Sequence, residues 1–252
     1  MSTQSSRTPT TTWACRSAFS IRLDRLLANL GYGSRAEIRA ALAEGRVSVG
    51  GVPEKNAARK VCARDVMLDG QTLDHPDGIC IILHKPAGYA CSHDPREAPL
   101  IYDLLPPRWM RRSPKLSSVG RLDRDTTGLI IITDNTELIH DLTSPKRAIP
   151  KVYIIETDPA GAELDERLIP LFASGSLRIT EKDTEEPCLP AELTITGKRS
   201  AHLVLYEGRY HQVKRMFAAC GYHVCALHRE SLGSWTLEGL EPGTYTDAHN
   251  TP

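Results

Sequence analysis

Gly120-Arg121-Leu122-Asp123-Arg124-Asp125-Thr126-Thr127-Gly128 leads directly into Leu129-Ile130-Ile131-Ile132-Thr133. Five consecutive apolar or β-branched residues predict a buried strand. The polar, glycine-bounded stretch before them predicts a tight loop that delivers a carboxylate to the strand's mouth. Asp123 is thereby the first candidate for chemistry. Spacing alone leaves a second reading open, a turn in which Asp and Thr side chains bond their own backbone.

Working outward, Ile79-Cys80-Ile81-Ile82-Leu83 is too short for a helix and too apolar for an exposed strand, so it predicts a second core strand. It ends in His84-Lys85-Pro86-Ala87-Gly88-Tyr89. Downstream, the pattern predicts a short helix over 136–143 and a strand over 151–155. A helix over 162–174 follows, with Leu164, Leu168, Leu171 and Phe172 at helical spacing. Strands are expected over 176–179, 191–196 and 201–206, then a helix over 212–220 stopped by Gly221, and strands near 224–227 and 235–237. This irregular order over residues 79–248 predicts an α+β domain with a mixed, largely antiparallel sheet flanked by helices.

Ahead of it, Leu23, Leu26, Leu27 and Leu30 are spaced for a helix that Gly31 stops. A second helix opens at Ser34, with Glu37 placed to complete a capping box, and closes near Gly45. Short strands at 46–49 and 66–68, with a Gly50-Gly51 turn, complete a small unit over residues 21–76. Asp74-His75-Pro76-Asp77-Gly78 reads as the linker. Residues 1–20 are rich in Ser and Thr, carry Arg7 and Arg16 and no acid, and read as a disordered tail; an organellar transit peptide shares this composition.

Lys plus Arg equals Asp plus Glu at 31 each, which argues against a polyanionic partner until the distribution is considered. Residues 20–64 hold nine basic and four acidic side chains, residues 84–151 eleven and eight, and residues 152–190 three and nine. Two basic tracts are thus set against one acidic tract, so a polyanion has somewhere to bind. Seven cysteines form no C-x-x-C pair, which fits a reducing cytoplasm better than a zinc site. The longest apolar run is far too short for a membrane span.

The string G-R-L-D-x-x-T-T-G-L followed by an apolar strand resembles the signature of the pseudouridine synthases, in the branch acting on ribosomal RNA. The K-P-x-G of residues 85–88 resembles a second motif of that family, with His84 in place of the usual Asn. Residues 21–73, in the pattern R-L-D-x-x-L…S-R…G-R-V-x-V, resemble the S4 RNA-binding domain, with Gly50 where Asn or Asp is more usual. The resemblance implies that Asp123 is the catalytic carboxylate, that Tyr153 in Lys151-Val152-Tyr153 lies against the target base, and that Lys214 after His211-Gln212-Val213 pairs with Asp123. Arg215, next in sequence, is the fallback for that partner. It further implies RNA contacts from Arg121, Arg209, His211, Gln212 and Arg215, and from Arg22, Arg25, Arg35 and Arg39 of the first unit, since guanidinium forks match phosphate oxygens.

The implied reaction breaks the bond from ribose C1′ to uracil N1, turns the base and joins C1′ to C5. It needs no redox step, metal, cofactor or external energy. Asp123 must act ionised, as nucleophile at C1′ or as base toward a ribose proton. A buried carboxylate drifts toward neutrality unless a cation lies close, which is the task that suits Lys214. The segment from Gly208 to Gly233 most resembles the family members that modify 16S ribosomal RNA at the uridine conventionally numbered 516. The expected setting is a monomer in the bacterial cytoplasm, with a partly assembled small subunit as partner. The alternatives are a uridine of 23S rRNA or an inactive assembly factor that only binds RNA. An Asp-nucleophile hydrolase would want a metal cluster or a glycine-rich phosphate loop, and the sequence offers neither.

Overall fold

The computed structural model describes residues 20–181 and 184–248, so the tail expected over residues 1–20 lies, apart from Ser20, outside them. The chain divides into two compact units between Asp77 and Gly78. The first begins with β1 (Ile21–Arg22), α1 (Leu23–Asn29) and α2 (Arg35–Ala43). It continues with β2 (Val47–Val49), β3 (Val52–Pro53), β4 (Lys60–Val61), β5 (Val66–Leu68) and β6 (Gln71–Thr72).

Leu23, Leu26 and Leu27 of α1 pack with Ile38, Ala41 and Leu42 of α2 and with Val47, Val49, Val61 and Val66 of the strands. The helix period thereby buries one stripe and leaves Arg22, Arg25, Arg35 and Arg39 in solvent. Ser34 caps α2 as its spacing predicted: its hydroxyl accepts from the Glu37 amide while the Glu37 carboxylate accepts from the Ser34 amide at 2.7 Å. Gly50 and Gly51 both adopt positive φ, 59° and 80°, in the two-residue turn between β2 and β3. Glycine reaches this geometry without strain, so the absence of Asn or Asp at position 50 leaves the hairpin intact.

The second unit contains β7 (Cys80–Lys85), β8 (Ser117–Ser118), β9 (Thr127–Thr133), α3 (Thr136–Thr143) and β10 (Lys151–Thr157). After these come α4 (Leu168–Ala173), β11 (Arg178–Glu181), β12 (Thr184–Pro187), β13 (Glu192–Ile195) and β14 (Ser200–Leu205). The chain closes with α5 (Gln212–Ala219), β15 (Val224–Leu232), β16 (Trp235–Thr236) and β17 (Tyr245–Asp247). The main sheet runs β13-β14-β10-β15-β9-β7-β17, with β8 on β9 and β16 on β15, while β11 and β12 form a separate two-stranded antiparallel sheet. Every pairing in that sheet is antiparallel except β9 with β15. The mixed, largely antiparallel α+β architecture expected from the sequence is the one that forms.

The apolar runs of β7 (Cys80–Leu83) and β9 (Leu129–Ile132) are buried because both faces of the sheet are covered there. Ile81, Leu83, Ile130 and Ile132 point into the main core with Phe172, Met216 and Phe217, and Ile82, Leu129 and Ile131 are equally buried on the opposite face. Each such side chain contributes about 1.5–3 kcal/mol when removed from water.

Two expectations need correction. The helix expected over 162–174 forms only from Leu168, because the Leu164 amide is taken by the Lys198 carbonyl at 2.7 Å and Asp165 makes a local turn with the Arg167 amide at 2.8 Å. Local side-chain bonding by Asp competes with the helix there. The strand expected over 176–179 is displaced to β11, outside the main sheet. The edge strand β17 gave no sequence signal, being only three residues long, yet it covers β7.

The parallel junction has a tight steric requirement. Gly128 faces Arg229 across it with φ of 113°, and a Cβ there would sit 2.2 Å from the Arg229 carbonyl oxygen. Gly120 also has positive φ, 70°, but open space around it. Gly128→Ala is therefore expected to destabilise the protein by well over ~3 kcal/mol, or to prevent folding, whereas Gly120→Ala costs about 1–2 kcal/mol from backbone strain alone. Urea unfolding of the two variants checks this, and equal losses would contradict the junction argument.

Candidate active site

Lys85 ends β7 with its side chain fully buried. Its ammonium donates to the carbonyls of Pro86 at 3.0 Å, Arg124 at 3.1 Å and Thr126 at 2.7 Å. Burial pushes this lysine below its ordinary pKa, an effect countered by the nearby Cys91, Asp125 and Asp123. The Gly88 amide donates to the same Arg124 carbonyl at 2.8 Å, and the Thr126 amide closes the turn onto the Asp123 carbonyl at 3.1 Å. The Arg124 guanidinium reaches away to the carbonyls of Glu97 and Ala98 at 2.6 and 2.7 Å. Loop 123–126 is thus fixed from both sides, which presents the Asp123 carboxylate to a cavity of about 670 Å³.

α5 supplies the facing groups. His211, at its N-terminal boundary, holds the left-handed conformation with φ of 49° and sets Nε2 3.2 Å from Asp123 Oδ1. Lys214, one turn on, lies 3.4 Å from Asp123 Oδ2 and donates to both oxygens of Asp125 at 2.7 and 2.8 Å. Lys214 therefore joins Asp123 as the sequence expectation had it, but its shorter bonds go to Asp125, which was not singled out. Burial acts downward on Lys214, yet the Asp125 hydrogen bond and the charges of both carboxylates leave its pKa raised. Hydrogen bonding to Lys214 holds the Asp125 carboxyl below its usual range. Left-handed geometry at a non-glycine residue costs of order 1–3 kcal/mol and concentrates at functional positions, which fits His211 facing the carboxylate.

Tyr153 projects from β10 into the same cavity and is 8% exposed, so its ring forms a wall already desolvated. Arg121, exposed, lines the rim. Three residues expected at RNA are instead engaged with the protein. Gln212 is buried, its amide donating to Glu207 at 2.6 Å and its oxygen accepting from the Arg209 amide at 2.9 Å. Arg209 donates to Glu207 at 3.1 Å and to the Pro187 carbonyl at 2.8 Å. Arg215 donates to the carbonyls of Thr180 and Tyr210. The buried Glu207 draws Arg209 and Gln212 inward, and a charge run in sequence cannot reveal such a partner.

Tyr210 gave no expectation, yet it is 59% exposed at the cavity and stacks on His211 with ring centroids 3.7 Å apart. An aromatic residue within G-R-Y-H-Q was the available signal. His84, where the family pattern has Asn, reaches the Leu240 carbonyl through Nδ1 at 2.7 Å, outside the Asp123 constellation.

The model of the RNA pseudouridylate synthase family matches residues 79–219, and that of the S4 domain matches residues 21–67. The chain belongs to the RNA pseudouridylate synthases. Over 231 residues this synthase is 40% identical to the ribosomal small subunit pseudouridine synthase A of Escherichia coli (strain K12), covering 89% of this chain and 95% of that protein. It is 39% identical over 229 residues to the like-named protein of Pasteurella multocida (strain Pm70), covering 89% and 94%. A solved structure described as a pseudouridylate synthase superposes with a TM-score of 0.60 at 34% identity, covering 90% of this chain and 96% of that one. The synthase is thus an S4 domain followed by a pseudouridine synthase domain, with the Asp123 cavity in the latter.

The Asp125 to Lys214 pair has a defined pH window. A lowered carboxyl pKa contributes stability that is present above the unfolded value near 3.9 and is lost as pH falls through the folded value; a raised lysine pKa contributes below its unfolded value near 10.4. The melting temperature of Asp125→Asn is accordingly expected to lie below wild type by a constant margin, no more than about 3 °C for so exposed a carboxylate, from pH 5 to 9. The margin should close below about pH 4. Thermal melts across that range check it, and a margin that widens in acid would contradict the assignment.

Proposed function

We propose that this pseudouridine synthase isomerises one uridine of 16S ribosomal RNA, the position conventionally numbered 516, with Asp123, Tyr153 and Lys214 as its catalytic groups. The observation that carries the reading is the carboxylate of Asp123 held between His211 and Lys214 in a cavity walled by Tyr153. The small-subunit target is supported by the names of the two relatives, whose similarity extends over nearly their whole length.

A target uridine leaves its stack to reach the cavity, at a cost of a few kcal/mol that the Tyr153 ring offsets by stacking. Asp123 then attacks C1′ or removes the ribose proton, and both roles need an ionised carboxylate, which Lys214 faces at 3.4 Å. Arg121 fills the space the base vacates. Arg22, Arg25, Arg35 and Arg39 hold phosphates of the surrounding RNA, and Tyr210 offers its open face to a neighbouring base.

Label release from uridine C5 in 16S rRNA measures the reaction directly, because only C5 glycosylation expels that hydrogen. Asp123→Asn is expected to abolish release while leaving RNA affinity within about threefold, since the amide keeps the shape but is neither nucleophile nor base. Tyr153→Phe should retain far more activity than Tyr153→Leu, because stacking needs the ring. Comparing pseudouridine maps from cells with and without the gene should show loss at position 516 alone; loss at a 23S position would transfer the substrate to the large subunit. Replacing the four S4 arginines together should lower the slope of log affinity against log salt by roughly 3, at ~0.7–0.9 per phosphate.

A further inference from the structure

Arg229 lies on β15, 3% exposed, directly opposite Tyr153 on β10 and paired on its other side with Gly128 of β9. Its Nε donates to the Leu129 carbonyl at 2.8 Å, which fixes the guanidinium in the wall of the Asp123 cavity. Among the described residues, its buried Nη2 has no hydrogen-bond partner and no carboxylate forms an ion pair with it. Leaving a buried cation uncompensated is costly, so such a group calls for an explanation.

Other groups on the cavity share this imbalance. The Thr126 hydroxyl is also buried without a partner. Lys151, half-buried, donates to the Ile149 carbonyl at 2.9 Å, and its pKa is lowered by burial and then by the charge of Arg229. Unpartnered donors thus gather at this part of the wall, and a complementary ligand offers acceptors there.

Resting on the reading of the cavity as the seat of the target uridine, we propose that the Arg229 guanidinium donates to a carbonyl oxygen of the target uracil and stabilises the charge this base acquires. When the C1′–N1 bond breaks, its electron pair leaves on N1 and spreads over O2 and O4. C1′ is meanwhile bonded by the Asp123 carboxylate, or the ribose yields its C2′ proton to that carboxylate. Later C5 bonds to C1′ as the Asp123 oxygen leaves it, or as the carboxylic acid returns its proton to C2′, which neutralises the base; C5 then loses its hydrogen as a proton while N1 gains one. The negative charge exists only between these events, so a fixed cation beside the carbonyl favours the transition state over the bound substrate. The bond from Nε to Leu129 supplies the fixation in advance.

The test combines Arg229→Lys and Arg229→Gln with short 16S-derived RNAs carrying uridine, 2-thiouridine or 4-thiouridine at the target, since sulfur is the weaker hydrogen-bond acceptor. With uridine, single-turnover rates are expected to fall roughly 10- to 100-fold while RNA affinity changes less than about threefold. One thio substitution should slow wild type but leave the variants almost unaffected, because the contact it weakens is already gone. That substitution identifies the carbonyl.

Thio effects of equal size in wild type and variants would show that Arg229 touches neither oxygen and only ties β15 to β9. Weakened affinity with single-turnover rates preserved would assign the guanidinium to a phosphate and likewise overturn the proposal. Should Arg229→Gln fail to fold, Arg229→Lys, which keeps the cation and the stem, carries the same comparison. A wild type that releases no C5 label would remove the proposed function and this inference together. An active wild type with additive effects would remove this inference alone.

Discussion

The ammonium of Lys85 is the interaction on which the site depends. Placing a lysine in the interior is unfavourable unless its protons find acceptors, and here its three protons meet three carbonyl oxygens, of Pro86, Arg124 and Thr126. Two of those carbonyls belong to the loop that carries Asp123. The charge therefore holds the backbone of the turn. A loop of mixed Asp, Arg and Thr would otherwise have many conformations close in energy, and the carboxylate would lack a fixed direction.

The second constraint is the parallel junction of β9 and β15. An otherwise antiparallel sheet brings distant strands together here, and only a residue without Cβ fits at position 128. The consequence is chemical as well as steric. With β9 and β15 this close, Arg229 can bond the Leu129 carbonyl while standing across from Tyr153. Loop 123–126, Tyr153 and Arg229 come from three strands, and this junction unites them around one cavity.

Much of the charge in the site meets partners within the protein. Asp123 and Asp125 face Lys214 and His211, while Glu207 gathers Arg209 and Gln212 into a separate buried network beneath α5. The equal totals of acidic and basic residues thus say little about the partner, because many charges are committed inside the fold. What reaches the cavity wall unpaired, at Arg229 and Thr126, carries the information about the ligand.

The sequence by itself determined the elements whose signals are local. The apolar runs at 79–83 and 129–133 are strands because every residue in them is buried, and Ser34 with Glu37 starts a helix because the capping bonds span only three residues. The motif around Asp123 and the position of Lys214 were also legible, since both lie in contiguous strings. Tertiary structure decided what those side chains meet. Asp125 as the nearer partner of Lys214, Lys85 as support for the Asp123 loop, and the inward turn of Arg209, Gln212 and Arg215 all depend on residues tens of positions away or on a buried carboxylate. Hydrogen bonds of that kind are set by three-dimensional distance, which periodicity does not encode. The truncation of the 162–174 helix has the same origin: the Leu164 amide took a partner at Lys198 that its own stretch of chain could not reveal.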